Sequence, residues 1–333
     1  MNQEQSKQDN IFSNNESIKD QKIDSLVLND IDFVAKVISK STISGCRISD
    51  SSFQATSFKQ LVFDDCIFEK CNFSKVSFSD CEFSNVDFIE CSFVSASLKS
   101  LSFIKSKIQN SDLSRLNANS IEFTQSSMSD IKFINGNLKS SKIDDFSFND
   151  CEFDSVVFSN SSFKDCSWNR VSLISNNFYM CEMMANDFCR ISQFEKNSFV
   201  RADLTKANLS DIKGNYLNFY HANLTQANLS GVKSHYCQFS NAQIVDANLE
   251  ASDFSFGNFN ESDLSSSNCK DSIFHCSNMN YSKVEETDFS NSDLSYCAFH
   301  DTKGKANMAS AKTNNIKYTD ELKKQAEEWQ VNG

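Results

Sequence analysis

The chain has 333 residues, no proline, only 7 Gly and a formal net charge of -12, so no Pro/Gly linker divides it and a simple phosphate-binding surface is disfavoured. No apolar run approaches the ~20 residues that span a bilayer, and the N-terminal "MNQEQSKQDNIFSNNES" lacks the apolar segment of a secretory signal. Thirteen Cys without such a signal fit a reducing cytoplasm better than a disulfide framework.

In chain order, residues 1–17 are polar and read as a disordered tail. From Ile18 a bulky apolar residue recurs every five positions: Ile18, Ile23, Leu28, Phe33, Ile38 and onward to Phe188. Of these 35 positions only Ala118 is not bulky. The spacing slips once, near Cys189–Gln193, because Phe188 is followed by Phe194. A second series of 22 positions runs from Phe194 to Phe299, with Gly214, Ser234 and Cys269 as exceptions. Neither the 3.6-residue helical period nor the strand period of 2 produces this pattern. Two residues before each centre stands a small side chain, and residues two apart on an extended segment point the same way. Each unit therefore aims one large and one small side chain inward, and the chain turns before the next. A chain that turns so regularly stacks on itself as a solenoid. Residues 301–318 read as an irregular end. Residues 319–330, "TDELKKQAEEWQ", read as a helix with Thr319 as N-cap and Leu322, Ala326 and Trp329 on one face.

Ala202-Asp203-Leu204, Ala207-Asn208-Leu209, Ala222-Asn223-Leu224, Ala227-Asn228-Leu229 and Ala247-Asn248-Leu249 resemble the A(D/N)LXX signature of the pentapeptide-repeat family. The resemblance covers about residues 18–299, with an echo at Ala306-Asn307-Met308. It implies an all-β fold, a right-handed, four-sided parallel β-helix of about 20 residues per coil and roughly 14 coils. Phe53, Phe73 and Phe93 then share one column, and Asn208, Asn228, Asn248 and Asn268 form an amide ladder. Ten cysteines take the small inward position, where a thiol packs as a small hydrophobe. Cys46/Cys66 and Cys71/Cys91 stand 20 apart, at a stacking distance that a disulfide can span.

No nucleophile, phosphate-loop or metalloprotease motif occurs, so no catalytic residue, metal or cofactor is expected. His235 and His275 lie two coils apart, about 10 Å, too far to share a metal. The four His read as solvated surface residues. Three surface features stand out instead. Glu122, Asp144, Asp145, Asp165 and Glu182 fall on one acidic face. Tyr216, Tyr236, Phe256 and Tyr296 share one outward column, whose rings either form a binding patch or fold in beside the defective centres Gly214 and Ser234. Leu322, Ala326 and Trp329 are expected to close the last coil or to pair with a second copy in a homodimer.

The family resemblance implies a non-enzymatic, protein-binding solenoid in a bacterial cytoplasm. Some members imitate acidic duplex DNA and protect type II topoisomerases such as DNA gyrase, giving quinolone resistance. The acidic faces here carry about one charge per 5 Å, against ~1.7 Å in duplex DNA, which weighs against full mimicry. The alternative is a secreted effector whose N-terminus directs export and whose solenoid binds host proteins. Neither reading requires direct nucleic-acid contact or a membrane span.

Overall fold

The computed structural model describes residues 17–332. The fold is an all-β parallel β-solenoid with a C-terminal helix. By internal contacts the chain forms two compact units, divided between Asn177 and Phe178. The tail expected over residues 1–17 lies outside the described residues except for Ser17, which opens the first strand, Ser17–Lys19.

In the first unit most sides of a coil are a three-residue strand or a single bridge, and the eight-residue strands Ser97–Ile104 and Asn117–Thr124 each run through two sides. Ser17–Lys19 pairs in parallel with Val37–Ser39, Lys22–Asp24 with Thr42–Ser44, and Val27–Asn29 with Arg47–Ser49. The fourth side is held by bridges such as Asp32↔Ser52. Every partner is 20 residues away, so four five-residue units close one coil. Turning the corner requires one left-handed residue per unit. Asp20, Ser25, Asp30, Ala35 and Lys40 all have φ between 50° and 58°. With so few glycines, ordinary residues carry this conformation, at roughly 1–2 kcal/mol each. The repeated ladder of backbone hydrogen bonds offsets that cost.

Phe rings stack at the coil spacing. Phe63 and Phe83 are 4.8 Å apart and 1° from parallel, and Phe83 and Phe103 are 4.6 Å apart. Within a coil, neighbouring rings meet edge to face, as Phe63 and Phe68 do at 5.8 Å and 72°. Both arrangements suit the ring quadrupole. Where the columns pass from Phe88 to Ile108 and from Phe93 to Leu113, the smaller side chains leave an apolar void of about 20 Å³. The small inward position also stitches coils together. The Ser106 hydroxyl donates to the Phe83 carbonyl at 3.2 Å and accepts from the Val86 amide at 3.1 Å.

Strand-bearing turns, about nine of them, end with Gln193–Glu195. Beyond that point the second unit is tied by isolated bridges. Here an outward Asn or Asp often accepts the amide two residues on, as Asp203 does from Thr205 at 3.0 Å and Asn228 from Ser230 at 3.1 Å. This Asx turn competes with extended pairing and shortens each side to one bridge. The slip near residues 189–193 appears as a 21-residue step, Asp187↔Asn208, after which the step returns to 20 at Ser198↔Asn218. The extra residue brings the Phe194 carbonyl oxygen to the place where a Cβ on residue 214 would lie, 1.4 Å away, so Gly214 stands there. The amide ladder forms: Asn268 donates to Asn248, Asn248 to Asn228, Asn228 to Asn208 and Asn208 to Asp187, at 2.9–3.4 Å.

Residues 301–318 are not irregular. They continue the ladder through Lys283↔Lys303, Asp288↔Asn307, Asp293↔Lys312 and Ala298↔Lys317. The step shortens to 19 after Gly304, whose φ of 96° tightens the corner. The helix, α1, spans Glu321–Asn332. Its N-cap is Asp320, which accepts the Lys323 amide at 3.1 Å, while the Thr319 hydroxyl instead accepts the Asp301 amide at 3.2 Å.

Candidate functional site

In the second unit, Tyr216, Tyr236, Phe256 and Tyr296 occupy left-handed corner positions, with φ between 58° and 62°. A corner residue points its side chain away from the core. All four are exposed, at 56%, 46%, 44% and 53%. Tyr216 and Tyr236 stack at 5.3 Å and 10°, and Tyr236 and Phe256 at 5.1 Å and 13°. Cys276 takes the next corner, and His275 bridges the gap, edge-on to Phe256 at 6.0 Å and to Tyr296 at 5.4 Å. The rings do not fold in beside Gly214 and Ser234. That space is filled by the Phe194 carbonyl and by the buried Ser234 hydroxyl, which donates to the Gly214 carbonyl.

Between its corners the side after this column carries no charge from Asn218 to Ala298, while the corner carboxylate of Glu261 accepts from Asn260 at 2.9 Å. The residues flanking the inward centres of this side are Asn, Tyr, Gln, Ser, Ala and, at the end, His300. Gln238, Asn258 and Asn278 form a second amide ladder, with bonds of 3.0 and 3.1 Å. An exposed aromatic strip beside polar, uncharged amides is chemistry suited to protein contact.

The acidic candidates are less unified. In the first unit Asp145 and Asp165 are exposed on corners one coil apart, with φ of 49° and 55°. Glu122 is exposed, but Lys142 lies 3.3 Å from it and reduces its net field. The backbone of Asp144 ends the strand Lys142–Asp144, and its side chain lies outside the described residues. Glu182 belongs to the second unit, where it bridges Asp203. Elsewhere in the first unit Arg170 pairs with Asp150 at 2.5 Å and Arg47 with Glu69 at 3.7 Å. The acidic faces are thus broken by lysine and arginine.

The C-terminal helix is turned opposite to expectation. Leu322 and Trp329 are 80% and 79% exposed, and Ala326 is exposed, so this stripe does not close the last coil. The polar side of the helix makes the contact. Glu327 accepts from the Tyr281 hydroxyl at 2.6 Å and lies 3.3 Å from His300, and Lys324 pairs with Asp301 at 2.9 Å. His300, expected on the solvated surface, is buried. His235 lies on the surface beside Asp253 at 3.2 Å. These pairings join residues 27 and 46 apart in sequence, which no local pattern announces.

All thirteen cysteines are free thiols, and only Cys189 and Cys276 are exposed. Burial pushes Cys81 and Cys237 up to about 11 and Cys151 and Cys297 up to about 12. In the stacked pairs, the bond to Cys46 and burial raise Cys66, and the bond to Cys71 and burial raise Cys91, while the same bonds lower Cys46 to about 7 and lower Cys71. Protonated thiols in an apolar column are poor nucleophiles. Among the described residues no cluster of His, Cys, Asp and Glu is arranged to hold a metal, and no helix is long and apolar enough to cross a membrane.

A family model described as "Pentapeptide repeat region" matches residues 63–143, and one described as "Pentapeptide repeats (8 copies)" matches 43–80 and 198–231. Among solved structures, trypsin-treated QnrB1, described as a plasmid-mediated fluoroquinolone resistance protein, is similar at 19% identity. That match covers 53% of this chain and 88% of QnrB1, with a TM-score of 0.36. HetL of the cyanobacterium Nostoc sp. strain PCC 7120, involved in heterocyst differentiation regulation, is similar at 12% identity over 92% of this chain and 90% of its own, with a TM-score of 0.20. Rfr23 from the cyanobacterium Cyanothece 51142 is similar at 12% identity over 43% of this chain and 90% of its own, with a TM-score of 0.16. No curated protein matches.

Proposed function

The chain belongs to the pentapeptide-repeat family, and from that premise we propose that it is a non-enzymatic, protein-binding β-solenoid of a bacterial cytoplasm. The observation that carries this reading is the exposed ring column of Tyr216, Tyr236 and Phe256, continued by Tyr296 beside a ladder of polar amides. Regular outward faces offer fixed, repeated contacts, and stacked rings enter a complex already ordered. Each then loses little conformational entropy on binding. A tyrosine at the centre of such a contact typically costs 2 kcal/mol or more when truncated, about 30-fold in affinity. Capture of partners from the native host by the wild type and by Tyr236→Ser tests this. The reading requires a specific partner that the variant loses, and a partner set identical for both proteins refutes it.

A second reading is favoured by Asp145 and Asp165, exposed on adjacent coils and without an ion pair among the described residues. In that reading the acidic corner imitates duplex DNA toward a type II topoisomerase such as DNA gyrase. Supercoiling assays with and without a quinolone decide it, and no effect of the protein in either removes it. A secreted effector acting on host proteins would use the ring column in the same way. A translocation assay on residues 1–20 separates that case from a cytoplasmic role.

A further inference from the structure

His300 is the buried histidine of the chain, and both nitrogens of its imidazole are engaged. The backbone amide of Asp320, the N-cap of α1, donates to His300 Nδ1 at 3.1 Å. An amide can only donate, so Nδ1 is unprotonated and the proton sits on Nε2. Nε2 lies 3.3 Å from Glu327 Oε2 and donates to it. The geometry therefore holds a neutral imidazole in a single tautomer, clamped between the first residue of the helix cap and a carboxylate nearly two turns along.

The groups that face this ring come from two elements. The coils supply Tyr281, edge-on at 5.3 Å, and the Asp301 carboxylate, which is held by Lys324. The preceding coil also fixes the His300 backbone, whose amide donates to Asn280 Oδ1 at 2.8 Å. The helix supplies Asp320, Lys323, Lys324 and Glu327. Lys323 lies 3.5 Å from Glu327 and 5.5 Å from the Tyr281 ring centre. Glu327 is thus already shared among Tyr281, Lys323 and His300.

We propose that His300 is a pH-sensitive latch, and that its protonation releases α1 from the solenoid. A second proton has one place to go, Nδ1. There it meets the Asp320 N–H, so a hydrogen bond becomes a contact between two donors. The new positive charge also lies at the helix N-terminus, the positive end of the helix dipole. It is buried, where a charge needs a full set of acceptors. Glu327 pulls the other way, but its carboxylate is divided among three donors and cannot repair the contact at Nδ1. Freed from this clamp, the segment moves together with its exposed stripe of Leu322, Ala326 and Trp329. The inference stands apart from the ring column, which lies on another corner of the coil.

Hydrogen exchange measured by mass spectrometry on the full chain tests this, with rates corrected for the intrinsic pH dependence of exchange. Between pH 7.5 and 5.0, protection of the peptide spanning residues 319–328 falls at least tenfold in the wild type. In His300→Asn, whose Oδ1 still accepts the Asp320 amide but does not titrate in this range, protection changes less than twofold. No change in the wild type overturns the latch. A parallel loss in both proteins also overturns it, because acid then acts through Asp301 or Glu327. If His300→Asn already lacks protection at pH 7.5, an NMR titration of the wild type decides. The Asp320 amide must shift with the same midpoint as the His300 ring, and independent midpoints overturn the proposal.

Discussion

Phe83→Ala is the most demanding test of the inward phase. Phe83 is fully buried and stacks on Phe63 at 4.8 Å and Phe103 at 4.6 Å. It also meets Phe78 at 5.5 Å and Phe88 at 5.6 Å, both edge to face. A buried Phe truncated to Ala typically costs 3–5 kcal/mol, and coils fixed by hydrogen bonds above and below collapse poorly into the space. Two lost stacks and two lost edge contacts place the value near the upper end, about 5 kcal/mol. The control is the adjacent outward residue, Ser84→Ala, expected within about 0.5 kcal/mol. Urea denaturation followed by far-ultraviolet dichroism reads both. Because coils interact mainly with neighbours, Phe83→Ala should also split off an early transition belonging to the coils around it. Equal midpoints for the two variants would refute the inward assignment, and with it the account of the core.

Native-state alkylation should label Cys189 and Cys276 and leave the other eleven thiols unreacted until denaturant is added, as mass spectrometry will show. Burial raises Cys237 to about 11 and Cys151 to about 12, so the unfolded chain gives up these protons first, near 9. The stability they contribute is intact below pH 9 and is lost as pH rises through about 11 to 12; thermal melts across that range should fall less steeply for Cys151→Ser. Gly214→Ala forces a methyl group against the Phe194 carbonyl and should cost about 3 kcal/mol or more in the same urea assay. Leu322→Lys should leave stability within about 0.5 kcal/mol, because the side chain is already in solvent.

The coil was readable from residue spacing because one physical rule repeats: a large residue inward, a small one two before it, and a corner after it. The same arithmetic placed the Asn208–Asn268 ladder and the ten inward cysteines. What it could not place depends on contacts outside the repeat. Gly214 and Ser234 looked like room for the neighbouring tyrosines, but the inserted residue near 189–193 drives the Phe194 carbonyl into that room. Residues 301–318 lost their five-residue signal because one residue is missing, yet Gly304 turns tightly enough to keep the ladder in step. An apolar stripe on a short helix usually faces a core. Here the polar side wins, because Glu327 and Lys324 find Tyr281, His300 and Asp301 at bonding distance.

Site-specific photo-crosslinking in the native host tests the central claim that the ring column is the working surface. A benzophenone amino acid is placed at position 236 in one protein and at position 145 in another, both exposed corners where the new side chain fits. The account predicts a discrete crosslinked partner from position 236, retained at high salt, and none from position 145. A partner captured from position 145 alone, and lost as salt rises, would contradict it.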